Sequence, residues 1–259
     1  MNWTLYAGSV LATIVLWWGS TGVIAWLVGR SVRTYPNLLR GTSVLALLSL
    51  AALALAREAD SSAHAVAAFL AALGLWSWVE ITFLTGRLTG PRKTASTATP
   101  NGWRHARDAI AAILWHEFAI IAVVALAALV TAGSENPVGL LTLLLLWIMR
   151  SSAKLNLFLG VRNLGEVFLP PHLGHLLGYL RRRPMNALFP FSVILGVLLI
   201  VLGVDRILDA TTSFDVVAYS LLTTLAALAL LEHVLMVLPL PAEALWRWSL
   251  TPRRSGDSA

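Results

Sequence analysis

Residues 138–160 read Val138-Gly-Leu-Leu-Thr-Leu-Leu-Leu-Leu-Trp147-Ile-Met-Arg150-Ser-Ser-Ala-Lys154-Leu-Asn156-Leu-Phe-Leu-Gly160. As a helix this stretch would be about 35 Å long, enough to cross a bilayer core of about 30 Å. Yet it carries two bases, Arg150 and Lys154, one helical turn apart. An ionisable side chain at that depth costs roughly 2.5–3.5 kcal/mol on insertion scales, so such residues are rare and need partners. A membrane helix with this much internal charge implies a bundle around it that supplies the opposite sign.

The rest of the chain supplies it. Of 259 residues 58% are hydrophobic and 12% charged, against about 25% charged in soluble domains. Seven apolar stretches are of spanning character: 5–29, 41–56, 63–86, 109–132, 138–160, 187–204 and 216–238. The second is short for a span. The sequence predicts an all-α polytopic membrane protein whose residues 1–259 form a single transmembrane domain. The first run lacks a basic n-region and a small-residue cleavage pattern, so it reads as a retained helix rather than a signal peptide. Cysteine is absent, which excludes disulfides, thiolate metal sites and cysteine nucleophiles.

Charge fixes the orientation. Fifteen of the 19 basic residues fall after spans one, three, five and seven, among them Arg30, Arg92, Arg104, Arg162, Arg181-Arg182-Arg183 and Arg253-Arg254. The opposite ends hold only Arg57 and Arg206, together with Glu58, Asp60, Glu135, Asp205, Asp209 and Asp215. By the positive-inside rule the N-terminus is outside and the C-terminus cytoplasmic. The formal charge of +6 is thus a topology signal. No continuous basic face or readout motif is present, which argues against nucleic acid as a partner.

Two cytoplasmic segments have some character of their own. Residues 89–101, rich in Thr, Ser and Pro, read as a mobile loop. Residues 171–183 follow Pro170 and place Leu173, Leu176, Leu177 and Leu180 at helical spacing, which predicts a short helix lying in the interface. His172 and His175 on it are an i, i+3 pair. They are read first as solvated polar positions, with metal or tetrapyrrole ligation as the alternative.

The orientation turns sequence position into depth. Glu80, His116, Glu117, Arg150, Lys154, Glu232 and His233 all fall roughly 8–15 Å inside the cytoplasmic boundary at 1.5 Å per residue. Three acids there face two bases. Ser152 and Asn156 occupy another face of the fifth span, so a helix polar on two sides is expected at the centre of the bundle. Asn163 continues the polar character towards the cytoplasm. This layer reads as a salt-bridge network, as a ligand pocket or as a metal centre. The metal reading is disfavoured, because His116-Glu117 and Glu232-His233 are adjacent pairs rather than the i, i+3 arrangement of helical di-iron sites. No nucleophile elbow, zinc-helix motif or phosphate-binding glycine loop is present, so no catalytic residue is assigned and an enzyme is not expected. Interfacial belts and core packing account for most of the 11 tryptophans. Trp76 and Trp115 sit within a turn of the layer, where they would flank a flat ligand.

Several of these stretches resemble a known family. Trp78-Val-Glu80-Ile-Thr-Phe-Leu-Thr-Gly86 with Thr89-Gly-Pro-Arg92, then Trp115-His-Glu117, the run from Met149 to Val161 with Asn163, and Leu169-Pro-Pro-His-Leu173 are similar to the photosynthetic complex assembly protein 2 family (the PuhE type). Met185-Asn186 and Phe189-Pro190 extend the resemblance over nearly the whole chain. It implies a multi-pass protein of the bacterial inner, photosynthetic membrane, encoded near the reaction-centre H subunit. The implied role is an assembly factor for the reaction centre with its light-harvesting antenna. Implied partners are reaction-centre or light-harvesting subunits, other assembly factors and the lipid bilayer. Bacteriochlorophyll or a precursor is the candidate cofactor, with a buried histidine as an axial ligand to magnesium. The family brings no established catalytic residues. A membrane carrier or flippase, and a subunit of bacteriochlorophyll biosynthesis, are the alternatives.

Overall fold

A computed structural model describes residues 2–97 and 102–250. Seven helices are long and apolar enough to cross a membrane: α1 (Trp3–Val28), α2 (Tyr35–Leu55), α3 (Ser62–Leu84), α4 (Trp103–Val130), α5 (Val138–Leu159), α6 (Phe189–Leu208) and α7 (Ser213–Val237). The protein is an all-helical, polytopic membrane protein. Among the described residues there is no strand, only an isolated bridge between Val161 and Arg182.

Two boundaries move from expectation. α2 begins at Tyr35 rather than 41, because Pro36 occupies its first turn, where a missing N–H costs nothing. This turns the short second span into a full one. α4 begins at Trp103 rather than 109 and carries Arg104, His105, Arg107 and Asp108 on its first turns.

α3 and α7 form the centre, with about 61% and 56% of their most apolar window buried, against about 33% for α5. The expectation that α5 is central is therefore corrected. α3 exposes small side chains at its contacts, with Ala65, Ala68 and Ala72 at 2% exposure or less. Within lipid, small residues let helix backbones approach and gain dispersion contact. α7 does the same with Ala218, Ser220 and Ala226. α2 packs on α3, α6 on α7, and α1 on α7.

The acidic end is closed by side-chain caps. Asn136 donates from Nδ2 to the carbonyls of Ala56 and His64 at 2.8 and 3.0 Å, and its Oδ1 accepts from the Val138 N–H at the start of α5. Arg57 donates to the Val130 and Ala132 carbonyls at the end of α4. Helix-terminal carbonyls have no partner in their own helix, so these contacts fix the short turns there.

The basic end carries more chain. Residues 89–92 are not a free loop. Gly90 lies against α4 so closely that a Cβ there would be 2.0 Å from the Ala111 carbonyl oxygen. The carbonyl of the neighbouring Thr89 accepts the His116 N–H at 2.9 Å, in the middle of α4. Residues 98–101 of the expected loop lie outside the described residues, as do Arg253 and Arg254. The expected interfacial helix is a 3-10 helix over Pro171–Tyr179, shorter than 171–183. Its burial repeats every three residues, at Leu173, Leu176 and Tyr179, matching three residues per turn. That face packs on Phe83 and Ala112, so the segment is docked on the bundle end.

A last segment returns to α1. Trp246, in a 3-10 turn over Ala242–Trp246, donates from Nε1 to the Trp18 carbonyl at 2.9 Å, and Trp18 donates to the Leu245 carbonyl at 2.8 Å. The Trp248 ring fills the space over Gly22, where a Cβ would lie 2.1 Å from it.

Candidate functional site

The charged layer assembles from four helices. Arg150 on α5 reaches Glu80 on α3, Nη2 to Oε2 at 3.1 Å. Lys154, one turn further along α5, meets Glu117 on α4, Nζ to Oε1 at 2.6 Å. Both pairs satisfy the requirement that charge at this depth be compensated. They differ in setting. The Glu80 side chain keeps 11% of its surface accessible and its partner Arg150 40%, while Glu117 and Lys154 keep 26% and 20%.

Glu232 on α7 takes a different partner. Its Oε1 accepts the Trp17 indole N–H of α1 at 2.6 Å. It lies within electrostatic reach of Arg150 but makes no ion pair among the described residues. Trp17, which the sequence reading left among the unassigned tryptophans, is thus part of the layer.

The second polar face of α5 forms a separate chain of hydrogen bonds. His233 Nε2 lies 3.0 Å from Ser152 Oγ, and Ser152 Oγ donates to Ser192 Oγ on α6 at 2.9 Å. Asn156 donates from Nδ2 to Ser192 Oγ at 2.8 Å and to the Ser152 carbonyl at 2.9 Å. Its Oδ1 accepts from Asn186 at 3.0 Å, and Asn186 also donates to the Gly160 carbonyl. This chain ties α7, α5 and α6 together, with His233, Asn156, Asn186 and Ser192 buried and Ser152 partly so. It explains how α5 can be polar on two faces without being central: one face meets α3 and α4, the other α6 and α7. Asn186 and Ser192 had no sequence signal beyond lying beside the proline-opened start of α6.

Two expected members do other work. Asn163 caps α7, donating to the Leu235 and Leu238 carbonyls at 2.7 and 2.6 Å. His172 places Nε2 3.0 Å from the Leu84 carbonyl at the end of α3. Its partner in spacing, His175, is half-buried with Nε2 bonded to nothing among the described residues.

The buried histidines do not fit axial ligation of a magnesium tetrapyrrole in this arrangement. His233 uses both ring nitrogens, the other 2.9 Å from the Ala229 carbonyl. His116 has both nitrogens without hydrogen bonds among the described residues, but it is 0% exposed, with its ring 4.4 Å from that of Phe83. Neither histidine presents a nitrogen to a space that a macrocycle could enter. Trp115 is 46% exposed on the outer face, where it does not flank the enclosed His116. Among the described residues the one group with metal-ligating geometry is Glu58, Asp60 and His64, with ligand atoms within 4.8 Å of one another. It is at the opposite, acidic end.

Where the layer meets the surface, a cavity of about 550 Å³ opens between α4, α5 and α6, lined by Glu117, Trp147, Ser151, Leu155, Leu188 and Phe191 among others. Glu117 is the one charged residue lining it. The arrangement presents an apolar, membrane-facing cleft with a paired carboxylate in its wall.

Comparison with known proteins gives a family. A family model described as "Protein of unknown function (DUF3623)" matches residues 4–257. A protein of Rhodobacter capsulatus named "Uncharacterized 30.4 kDa protein in puhA 5'region" is 38% identical over 244 residues, covering 93% of this chain and 89% of that protein. No solved structure matches the chain.

Proposed function

The chain belongs to the DUF3623 family, and from that membership and the site we propose that it is an assembly factor of the photosynthetic membrane. In this reading it acts by binding rather than by catalysis, in the cytoplasmic or intracytoplasmic membrane of a phototrophic bacterium. The observation that carries it is the name of the Rhodobacter capsulatus relative, which sets that protein in the puhA 5′ region. That position agrees with what the resemblance to the assembly protein 2 family implies, a gene beside that of the reaction-centre H subunit.

The geometry supports binding over chemistry. The layer's bases are each joined to a carboxylate, and its polar side chains are mostly spent on helix-to-helix contacts. Glu117 alone among the charges also borders a membrane-open cleft. A cleft of that kind suits a transmembrane segment of a newly made reaction-centre or antenna subunit. Its apolar walls match a helix surface, and the carboxylate provides an acceptor for one polar side chain.

The test is a deletion strain of a phototrophic host complemented with the wild-type chain or with Glu117→Gln. Deletion should lower the near-infrared absorbance of assembled reaction centre and antenna, and the wild type should restore it. Glu117→Gln should accumulate in the membrane yet restore less. Unchanged pigment-protein absorbance in the deletion strain would defeat the assembly reading.

A further inference from the structure

Directly towards the basic end from the Glu117 cleft lies a second cavity of about 500 Å³. Trp103, Ala106, Phe158, Arg181, Arg183 and Asn186 line it with their neighbours, and no acidic side chain is among its described lining residues. The two cavities follow one another along α5. Along α5 the residues Trp147, Ser151 and Leu155 face the deeper cavity, and Phe158 and Leu159 face the outer one. Those positions recur every three or four residues and so form one stripe. On the α6 side Ala187 borders the outer cavity and Leu188 the deeper one. The result is one seam between α4 and α6, running from a basic rim into the bilayer. From Leu159 to Trp147 it measures about 18 Å at 1.5 Å per residue, close to one leaflet of a bilayer core of about 30 Å.

The rim concentrates positive charge. Arg181 and Arg183 both face the outer cavity, whereas Arg182 between them joins Glu166 at 2.8 Å. The Arg181 guanidinium carbon stands 5.0 Å from the centre of the Phe158 ring. Burial, and after it the neighbouring Arg183 charge, holds the Arg181 guanidinium below its ordinary pKa. Trp103 is 76% exposed at the same level, where an indole favours the headgroup region. Planar guanidiniums match phosphate oxygens in geometry as well as charge. Asn186, fastened to Asn156 and Gly160, keeps the wall rigid.

We propose that this seam binds one anionic phospholipid of the cytoplasmic leaflet. The headgroup phosphate sits between Arg181 and Arg183, and one acyl chain lies over Leu155 and Leu188, in the cleft that a client segment would enter by displacing it. A lipid fits better than free phosphate because the basic rim lies next to an apolar, membrane-facing cleft along the same face of α5. The inference does not rest on the assembly reading, since it is measured on the purified protein alone.

The experiment is native mass spectrometry of the delipidated full chain titrated with phosphatidylglycerol or phosphatidylcholine of identical acyl chains. Wild type should bind phosphatidylglycerol at least tenfold more tightly. The double variant Arg181→Gln/Arg183→Gln should lose that preference, and Arg181→Lys/Arg183→Lys should keep much of it. Leu155→Trp, which fills the seam without touching charge, should weaken both lipids. If the glutamine variant fails to fold, the lysine and Leu155→Trp variants decide. Equal binding of the two lipids by wild type, or undiminished phosphatidylglycerol preference in a folded glutamine variant, would overturn the proposal. So would displacement of the lipid by inorganic phosphate together with no effect of Leu155→Trp, which would mark a site for free anions.

Discussion

Lys154 and Glu117 meet at 2.6 Å across α5 and α4 at the edge of a membrane-open cleft, while Arg150, one turn away, is joined to the nearly enclosed Glu80. Neighbouring bases on one helix are therefore held by different helices in different surroundings. Glu80→Gln strands Arg150, whose guanidinium stays charged, and breaking a buried pair costs typically about 3–5 kcal/mol. Glu117→Gln strands Lys154, an amine that can give up its proton. Glu80→Gln should accordingly lower the amount of protein in the membrane and its thermal midpoint in detergent. Glu117→Gln should change both less. Equal losses in the two variants would show that Lys154 stays charged without its partner.

Asn156 is the hub of the hydrogen-bond chain linking α5 to α6 and to the segment before it. Replacement by Ala removes one partner each from Ser192 and Asn186, which keep their bonds to Ser152, Leu188 and Gly160, and each buried hydrogen bond lost costs about 0.5–1.5 kcal/mol. Thermal unfolding of purified Asn156→Ala should begin well below that of wild type. The double variant Asn156→Ala/Asn186→Ala should cost less than the sum of the two single changes, because the partners are shared. Additive losses would mean that the two amides act separately.

Gly90 should tolerate no side chain. A Cβ there meets the Ala111 and Ala112 backbone rather than a movable side-chain end, so Gly90→Ala must push residues 89–92 off α4. Limited proteolysis should then cut at Arg92 or Lys93 in Gly90→Ala faster than in wild type. Gly174→Ala, with nothing within 4 Å of its Cβ position, is the matching control and should leave cleavage unchanged.

That the charged layer exists was legible because hydrocarbon forces ionisable groups to find one another, and helix position gives depth. Which acid meets which base was not, since Glu80, Glu117 and Glu232 share a depth and only the rotation of each helix separates them. Trp17 took Glu232 for that reason. The misplacement of α5 had a signal against it: the alanines of α3 at 65, 68 and 72 mark a helix that neighbours approach closely, a stronger sign of centrality than polarity. Asn163 and His172 were grouped with the site on residue type, local spacing and the resemblance. Their roles as caps of α7 and α3 depend on chain returning from far along the sequence, which local spacing does not encode.

His175 supplies a pH dependence outside the membrane. Burial, and after it the charge of Lys93, holds its imidazole below the ordinary histidine value. The folded protein therefore resists a proton that the unfolded chain takes up near pH 6.5. The stabilisation is fully present above that pH and is lost as pH falls from there through the folded-state pKa. Thermal midpoints of wild type should drop across that window, and His175→Gln should flatten that part of the profile. An unchanged profile would assign the pH dependence to other groups.

The tryptophan clasp on α1 should be what secures the chain after α7. Trp246 is buried against Trp17, with ring centres 5.1 Å apart, and Trp248 lies on Trp18 at 5.4 Å and over Gly22. Arg247 between them is exposed. Trp248→Ala removes the ring over Gly22 but leaves the Trp246 indole hydrogen bond to Trp18, so the segment should loosen without detaching. Trypsin should then cut at Arg247 several-fold faster than in wild type. Trp246→Ala should accelerate cutting further, because it also removes the indole hydrogen bond to the Trp18 carbonyl and the ring packed on Trp17. That ring flanks the indole which holds Glu232, so Trp246→Ala should in addition lower the thermal midpoint, an effect Trp248→Ala should largely lack. Equal cleavage rates in wild type and both variants would place the anchorage of this segment elsewhere.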